Sequence, residues 1–423
     1  MPVRIDMMNE GLIEGDHRVS IIIPVIRQEK ARRCVESIYK NAGIPSGEYE
    51  ILAVQDTERI GCPEMMKSLV EHARYNLVMF LGDDTIPQKD FLLNALYAMA
   101  SLPDGWGLVA LNDGVHEGRF ATHWLADRKL LQHLENREFF NTAYKHCFCD
   151  RELTDIAMEL GRYIYAEKAV IVHDHPHVTG TEYDEGYKAA YKMETFLGDQ
   201  ATYRRRKIAR NTVRSGMKLA VGLPVVNDWI HSPFFLSFIL MDTPPFTLCV
   251  PEDYIGNYPG DIAKTRNGLV EHALNEGCSH IILMDTDQTY PADTIKRLLS
   301  HDKDITGAVV HKRYPPFNPL LLRGTLGRYL RVPDEEAYSG DLIEVDATGT
   351  GCLLVKSDVF LDLEFPWFRF STTDEGKPVG EDIYFCSEAR KAGRQIYVDT
   401  GVQVGHGAYV EVNRRFYEIF KNY

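Results

Sequence analysis

The 423-residue chain is 44% hydrophobic and 26% charged, the balance of a folded globular protein and not of a disordered one. At roughly 100–200 residues per domain, its length suggests two or three domains. A formal net charge of −14 argues against a general nucleic-acid binder, whose affinity rests on neutralising phosphates. No run approaches the ~20 apolar residues that span a bilayer, so no integral membrane segment is expected. Eight scattered cysteines and an N-terminus without a secretory apolar core point to reduced thiols and a cytoplasmic location. Cys147-x-Cys149 has no second pair to complete a zinc site.

The chain repeats itself. Residues 1–17 are polar and aperiodic and read as an extension. Val19-Ser-Ile-Ile-Ile-Pro24 is a β-branched run of the kind that forms a buried strand, and Lys218-Leu-Ala-Val-Gly-Leu-Pro224 matches it. Leu77-Val-Met-Phe-Leu-Gly-Asp83-Asp84 is a second apolar strand running into carboxylates, matched by Ile281-Ile-Leu-Met-Asp285-Thr286-Asp287. A helical pattern follows each. Pro24 and Asp83 lie 59 positions apart, Pro224 and Asp285 61; Asp150 and His173 lie 23 apart, Asp382 and His406 24. The intervening stretch is about 30 residues longer in the second half, and Pro315, Pro316, Pro319 and the run 333–340 mark the excess as loop. These landmarks predict two α/β domains with mostly parallel sheets, residues 1–210 and 215–423. The basic run 204–214 joins them as a connector or solvated helix face. Ligands of such sheets lie beyond the C-terminal strand ends, where Asp56, Asp83, Asp84, Asp285 and Asp287 fall.

In the second half, Asp285-x-Asp287 at a strand end offers two hard oxygen ligands to a divalent cation and leaves positions open for diphosphate oxygens. Asp302-x-Asp304 has the same spacing but follows a helical pattern and reads as a polar loop. His406, flanked by glycines at a strand end, is a candidate third ligand. Asp382 opens a helical pattern, as a dipole-matching cap or as a general base for an acceptor hydroxyl. Thr348-Gly-Thr-Gly351 is a stretch of small residues that lets backbone approach a sugar closely. Lys264 and Arg266, at the start of a helix, are candidates for holding a nucleotide or its phosphates.

Taken in order, Gly-Leu-Pro-Val-Val at 222–226, Ala-Lys-Thr-Arg-Asn at 263–267, Met-Asp-Thr-Asp at 284–287, Gly-Thr-Gly-Cys at 349–352, Gly-Glu-Asp-Ile at 380–383 and Val-Gly-His at 404–406 resemble the landmarks of family 2 glycosyltransferases of the GT-A fold. The resemblance covers roughly residues 217–410. It implies an inverting, metal-dependent transferase of nucleotide-diphosphate sugars, UDP-sugars foremost, with Mn²⁺ or Mg²⁺. On this resemblance Asp285 and Asp287 bind the metal, His406 assists and Asp382 is the base, while Asp253 is a weaker nucleotide candidate. The first half resembles the same superfamily in a form associated with bacterial and phage-encoded enzymes. There Asp56 matches a nucleotide-binding Asp, and adjacent Asp83 and Asp84 replace the usual DxD. Asp150 falls at the place of the catalytic Asp382, and His173, with His175 and His177 beyond it, falls with the metal-assisting histidine.

The leading expectation is therefore a transferase with two nucleotide-sugar domains in tandem. A sugar nucleotidyltransferase would want a Gly-rich phosphate loop after the first strand, where this chain places Pro24 and Pro224. A third reading makes one domain, the N-terminal one foremost, a non-catalytic sugar- or acceptor-binding module. Carbohydrate, protein and modified DNA base all stay open as acceptors.

Overall fold

The computed structural model describes residues 17–174, 188, 192–225, 230–251, 261–408 and 414–421. Residues 1–16, His175, His177 and Asp253, on which expectations were placed, lie outside these. The chain divides into two compact units, Met1–Tyr203 and Arg204–Tyr423.

The first unit runs β1 (Val19–Val25), α1 (Gln28–Asn41), β2 (Tyr49–Gln55), α2 (Cys62–His72), β3 (Leu77–Phe80), β4 (Thr85–Pro87), α3 (Phe91–Ser101), β5 (Leu108–Asn112), β6 (Trp124–Asp127), α4 (Cys149–Glu159) and β7 (Tyr163–His173). Helix α5 (Met193–Ser215) carries the chain into the second unit. There follow β8 (Leu219–Gly222), α6 (Ser232–Ile239), β9 (Phe246–Cys249), α7 (Ile262–Asn275), β10 (His280–Met284), β11 (Gln288–Thr289), α8 (Thr294–Ser300) and β12 (Ile305–Val309). The long excursion holds β13 (Leu321–Arg323), β14 (Leu330–Arg331), α9 (Asp334–Ala337), β15 (Leu342–Val345) and β16 (Ala347–Thr348). The unit closes with β17 (Cys352–Lys356), α10 (Ser357–Asp362), β18 (Ser371–Thr372), β19 (Pro378–Val379), α11 (Glu381–Lys391), β20 (Ile396–Gln403), β21 (Gly405–His406) and α12 (Arg414–Phe420).

The basic run 204–214 belongs to α5, whose inward face carries Arg204, Ile208 and Asn211. Arg204 Nε donates to Asn275 Oδ1 at 3.0 Å and Asn211 Nδ2 to the Gly277 carbonyl at 3.1 Å, so part of this run is structural.

Each unit is a sheet with apolar clusters on both faces. In β1, Ile21 and Ile23 join one cluster and Ile22 the other; in β8, Ala220 joins one and Leu219 and Val221 the other. Burial on both sides explains why these strands read as unbroken β-branched runs.

The first sheet has the order β2-β1-β3-β6-β5-β7-β4 and the second β9-β8-β10-β17-β12-β20-β15. Leu52, Ile22, Phe80, Trp124, Ala110 and Tyr165 lie abreast across the first. Cys249, Gly222, Leu283, Leu353, Gly307 and Val398 lie abreast across the second. Six strands thus repeat in order, direction and register.

The expected mostly parallel sheet is corrected to a mixed one. In each six-strand set β6 or β17 runs against both its neighbours, because the chain returns from β5 or β12 without a crossover helix. The surplus residues of the second unit fall between β12 and β17, and they include the edge strand β15.

Candidate active site

The shared register aligns the carboxylates. Two residues beyond the abreast pair Phe80 and Leu283 come Gly82 and Asp285; four beyond come Asp84 and Asp287. The next strand agrees: Thr85 of β4 pairs with His173, and Gln288 of β11 pairs with His406. The backbone agrees again, Asp174 N donating to Asp84 O and Gly407 N to Asp287 O, each at 2.8 Å. Asp83 therefore matches Thr286. Spacing alone had matched Asp83 to Asp285, one residue off.

In the second unit, Tyr290 holds the acidic turn from beneath. Its buried hydroxyl donates to the Asp285 carbonyl at 2.7 Å and lies 2.9 Å from that of Gly351. The Asp285 carboxylate meets Arg266 at 2.7 Å, and Arg266 also holds Glu381. Asp261 caps α7, its carboxylate accepting from Ala263 N and Lys264 N. The helix turns Arg266, only 4% exposed, inward toward these acids and leaves Lys264 exposed. Arg266 thus positions carboxylates here, and of the two basic candidates Lys264 is the one that faces solvent.

Asp287 and His406 form the other half of the turn. His406 Nε2 lies 3.6 Å from Asp287 Oδ1, and His406 Nδ1 stands 2.6 Å from the His311 carbonyl. Nδ1 carries the proton to make that bond, which leaves the Nε2 lone pair facing Asp287, the tautomer a metal ligand needs. Arg313 stands against Asp287 Oδ2 and within 3.3 Å of His406 Nε2, so a cationic group is already held by both. Carboxylate and imidazole donors around a cation suit Mn²⁺ or Mg²⁺. His311, Lys312, Arg313, Phe317 and His406 line a cleft of about 500 Å³. The reading of the sequence missed Lys312 and Arg313; the basic triplet 311–313 just past a buried strand was the available signal.

Asp382 opens α11, half-buried, with Oδ1 accepting from Ile383 N at 2.7 Å. A methyl group on Gly349 would stand 3.9 Å from its Oδ2, so the Thr348–Gly351 backbone passes close by. The hydroxyls of Thr348 and Thr350 are buried there without a partner. Burial, with Glu381 beside it, pushes the Asp382 carboxyl up to about 6.

The first unit copies part of this arrangement. Asp150 opens α4 as Asp382 opens α11, with Oδ1 accepting from Arg151 N at 2.8 Å, and burial pushes it up to about 6 as well. His173 Nε2 lies 3.5 Å from Asp84 Oδ2. Asp83, for which a metal role was expected, is engaged with the end of β1. Its Oδ2 accepts from Ile26 N at 2.8 Å and Arg27 N at 2.7 Å, and Oδ1 meets the Arg27 guanidinium, so it fastens the end of β1. Arg27 also lies 3.4 Å from Asp84. Asp56, the nucleotide candidate, is buried and spends both oxygens on Ile60 N and Gly61 N, holding its own loop closed. Among the described residues, Asp84, His123 and His173 bring three ligand atoms within 4.8 Å of one another. His123 was not among the expected residues. Burial pushes it down to about 3, so its ring is neutral.

No family model matches the chain, and no curated protein does. Among solved structures it is similar to A197 from STIV, at 13% identity and TM-score 0.31 over 46% of this chain and 86% of that one. It is similar to the mannosyltransferase PcManGT from Pyrobaculum calidifontis in complex with GDP-Man and Mn²⁺, at 20% identity and TM-score 0.35, over 47% of this chain and 65% of that one. It is also similar to S. aureus TarS 1–349 in complex with UDP-GlcNAc, at 16% identity and TM-score 0.36, over 45% and 66% respectively. The chain thus spans slightly less than two thirds of the latter two. No helix among the described residues is long and apolar enough to cross a membrane.

Proposed function

We propose that the chain is a metal-dependent glycosyltransferase of two GT-A domains, in which the second unit moves a sugar from a nucleoside-diphosphate sugar, UDP foremost, to an acceptor hydroxyl with inversion. The observation that carries this reading is the meeting of three things at one end of the second sheet. These are the Asp287–His406 pair, with Asp285 two residues before it on Arg266, a basic cleft beside the pair, and a half-buried carboxyl raised to about 6 against a glycine-rich strand turn. A divalent cation held by Asp287, His406 and Asp285 would draw negative charge from the departing diphosphate. Lys264, Lys312 and Arg313 would meet the phosphates by charge-assisted hydrogen bonds. Asp382 would accept the proton of the acceptor hydroxyl, and the Thr348–Gly351 backbone would let the sugar approach.

A second reading concerns the first unit alone. Gly82 stands at the position of Asp285, Asp56 is spent on backbone, and Asp83 on backbone and the Arg27 guanidinium. We therefore assign this unit a binding role for donor or acceptor, with transfer in the second. Carbohydrate, protein and modified DNA base remain the acceptor classes to screen.

The test is donor hydrolysis and transfer by the intact chain across a panel of nucleotide sugars with Mn²⁺. Asp285→Asn/Asp287→Asn is expected to abolish turnover, while Asp382→Asn abolishes transfer and keeps donor binding. Full transfer by Asp382→Asn removes it from the mechanism. Equal loss from Asp150→Asn gives the first unit a catalytic role of its own.

A further inference from the structure

We propose that the first unit carries its own divalent transition-metal site, built from Asp84, His123 and His173 by moving one ligand from β3 to the neighbouring strand. The two units differ at two adjacent positions. Where the second has Asp285 at the end of β10 and Cys352 opening β17, the first has Gly82 and His123. The exchange is complementary in space. A methyl group on Gly82 would stand 3.2 Å from His123 Nε2 and 2.6 Å from Asp84 Oδ1. The imidazole has thus moved into the room that a side chain at position 82 would need, and only glycine there leaves it free.

The cluster is built and not incidental. His123 is 4% exposed, and its Nδ1 is buried without a hydrogen-bond partner among the described residues. Its ring stacks on Phe80 at 5.9 Å and meets the His173 ring edge-on at 4.7 Å. His173 Nε2 lies 3.5 Å from Asp84 Oδ2, and the three ligand atoms lie within 4.8 Å of one another. A buried imidazole with an orphaned nitrogen, beside a second imidazole and a carboxylate, has the donor chemistry of a three-ligand site with open positions. Two nitrogen donors out of three favour Zn²⁺, Co²⁺ or Mn²⁺ over Mg²⁺, which prefers oxygen. The two units then differ in the ion they select. This inference stands on the cluster and not on the transfer reaction, so either can fail without the other.

The test uses the full chain carrying Asp285→Asn and Asp287→Asn, which removes the acids of the other site. Stripped with a chelator and titrated with Co²⁺, it is expected to bind one equivalent with the visible d–d absorption of a nitrogen-ligated ion. Excess Mg²⁺ is expected not to displace it. Adding His123→Asn or His173→Asn is expected to weaken Co²⁺ by at least the roughly 10–100-fold that even an outer-shell partner is worth. His116→Asn, outside the cluster, leaves the titration unchanged. Should His123→Asn fail to fold, the half-buried His173 decides through its own variant. Absence of the Co²⁺ band in the Asp285→Asn/Asp287→Asn chain, or affinity unaltered by His173→Asn, overturns the proposal.

Discussion

Gly82 occupies in the first unit the place that Asp285 holds in the second, with the same register across six strands. The glycine is there for room and not for backbone freedom, since the atoms a Cβ would meet are the Asp84 carboxylate and the His123 ring. Gly82→Ala is accordingly expected to destabilise the chain by about 1–3 kcal/mol, the range for overfilling a packed site. Gly268, inside α7 with nothing near its missing Cβ, is the contrast. Gly268→Ala is expected to add about 0.5–1 kcal/mol of stability by helix propensity. Thermal unfolding of the two variants beside the parent checks both signs, and a stabilised Gly82→Ala contradicts the steric account.

Arg266 is a buried cation between two acids, Asp285 and Glu381, and its Nε has no partner. Its removal strands the buried Glu381 carboxylate and the half-buried Asp285. Arg266→Met is expected to cost about 3–5 kcal/mol, the range for breaking one side of a buried pair. Arg266→Met/Glu381→Gln is expected to recover part of the loss, because one stranded charge has gone. Denaturant midpoints of the single and double variants decide this. A double variant no more stable than the single one removes Glu381 from the account.

Much of this was legible in the chain. Ile21-Ile22-Ile23 and Ile281-Ile282-Leu283 are buried on both faces, so composition alone marks them as strands, and acids at their ends follow from the fold class. Asp285, Asp287, His406 and Asp382 became candidates in this way, and the structure places Asp287 beside His406 and Asp285 on Arg266. Strand direction was not legible. Trp124–Asp127 and Cys352–Lys356 look like any apolar strand, and only the short return that precedes β6 turns it antiparallel to its neighbours. The one-residue slip at Asp83 arose because acids were matched to acids, whereas the sheet register matches Asp285 to a glycine. His123 was invisible for the same reason. It stands just before a different strand, β6, 39 residues after Asp84, and a lone histidine before a tryptophan carries no pattern. Asp56 is a motif residue whose oxygens go to the backbone of its own loop, a use that no sequence pattern announces.

Asp382 ties stability to activity through pH. Its carboxyl stands near 6 in the folded chain against about 3.9 unfolded, so between those values the folded state holds the proton more tightly. Stability therefore falls as pH rises from about 4 through 6, and the whole cost is in place above 6. Two units amount to about 3 kcal/mol at most, brought to about 1–2 by the solvent contact of a half-buried group. Asp382→Asn removes the charge and is expected to be more stable than the parent at pH 7.5 by about that much, with the difference fading below pH 4. Asp150→Asn is expected to behave alike, because its carboxyl is raised equally. On the proposed mechanism the ionised form that destabilises the fold is also the one that would accept the proton, so transfer is expected to rise with pH through a midpoint near 6. Unfolding curves at pH 4 and 7.5, set beside a pH–rate profile, read both halves. A midpoint at the ordinary carboxylate value, or an Asp382→Asn chain less stable at pH 7.5, breaks the link.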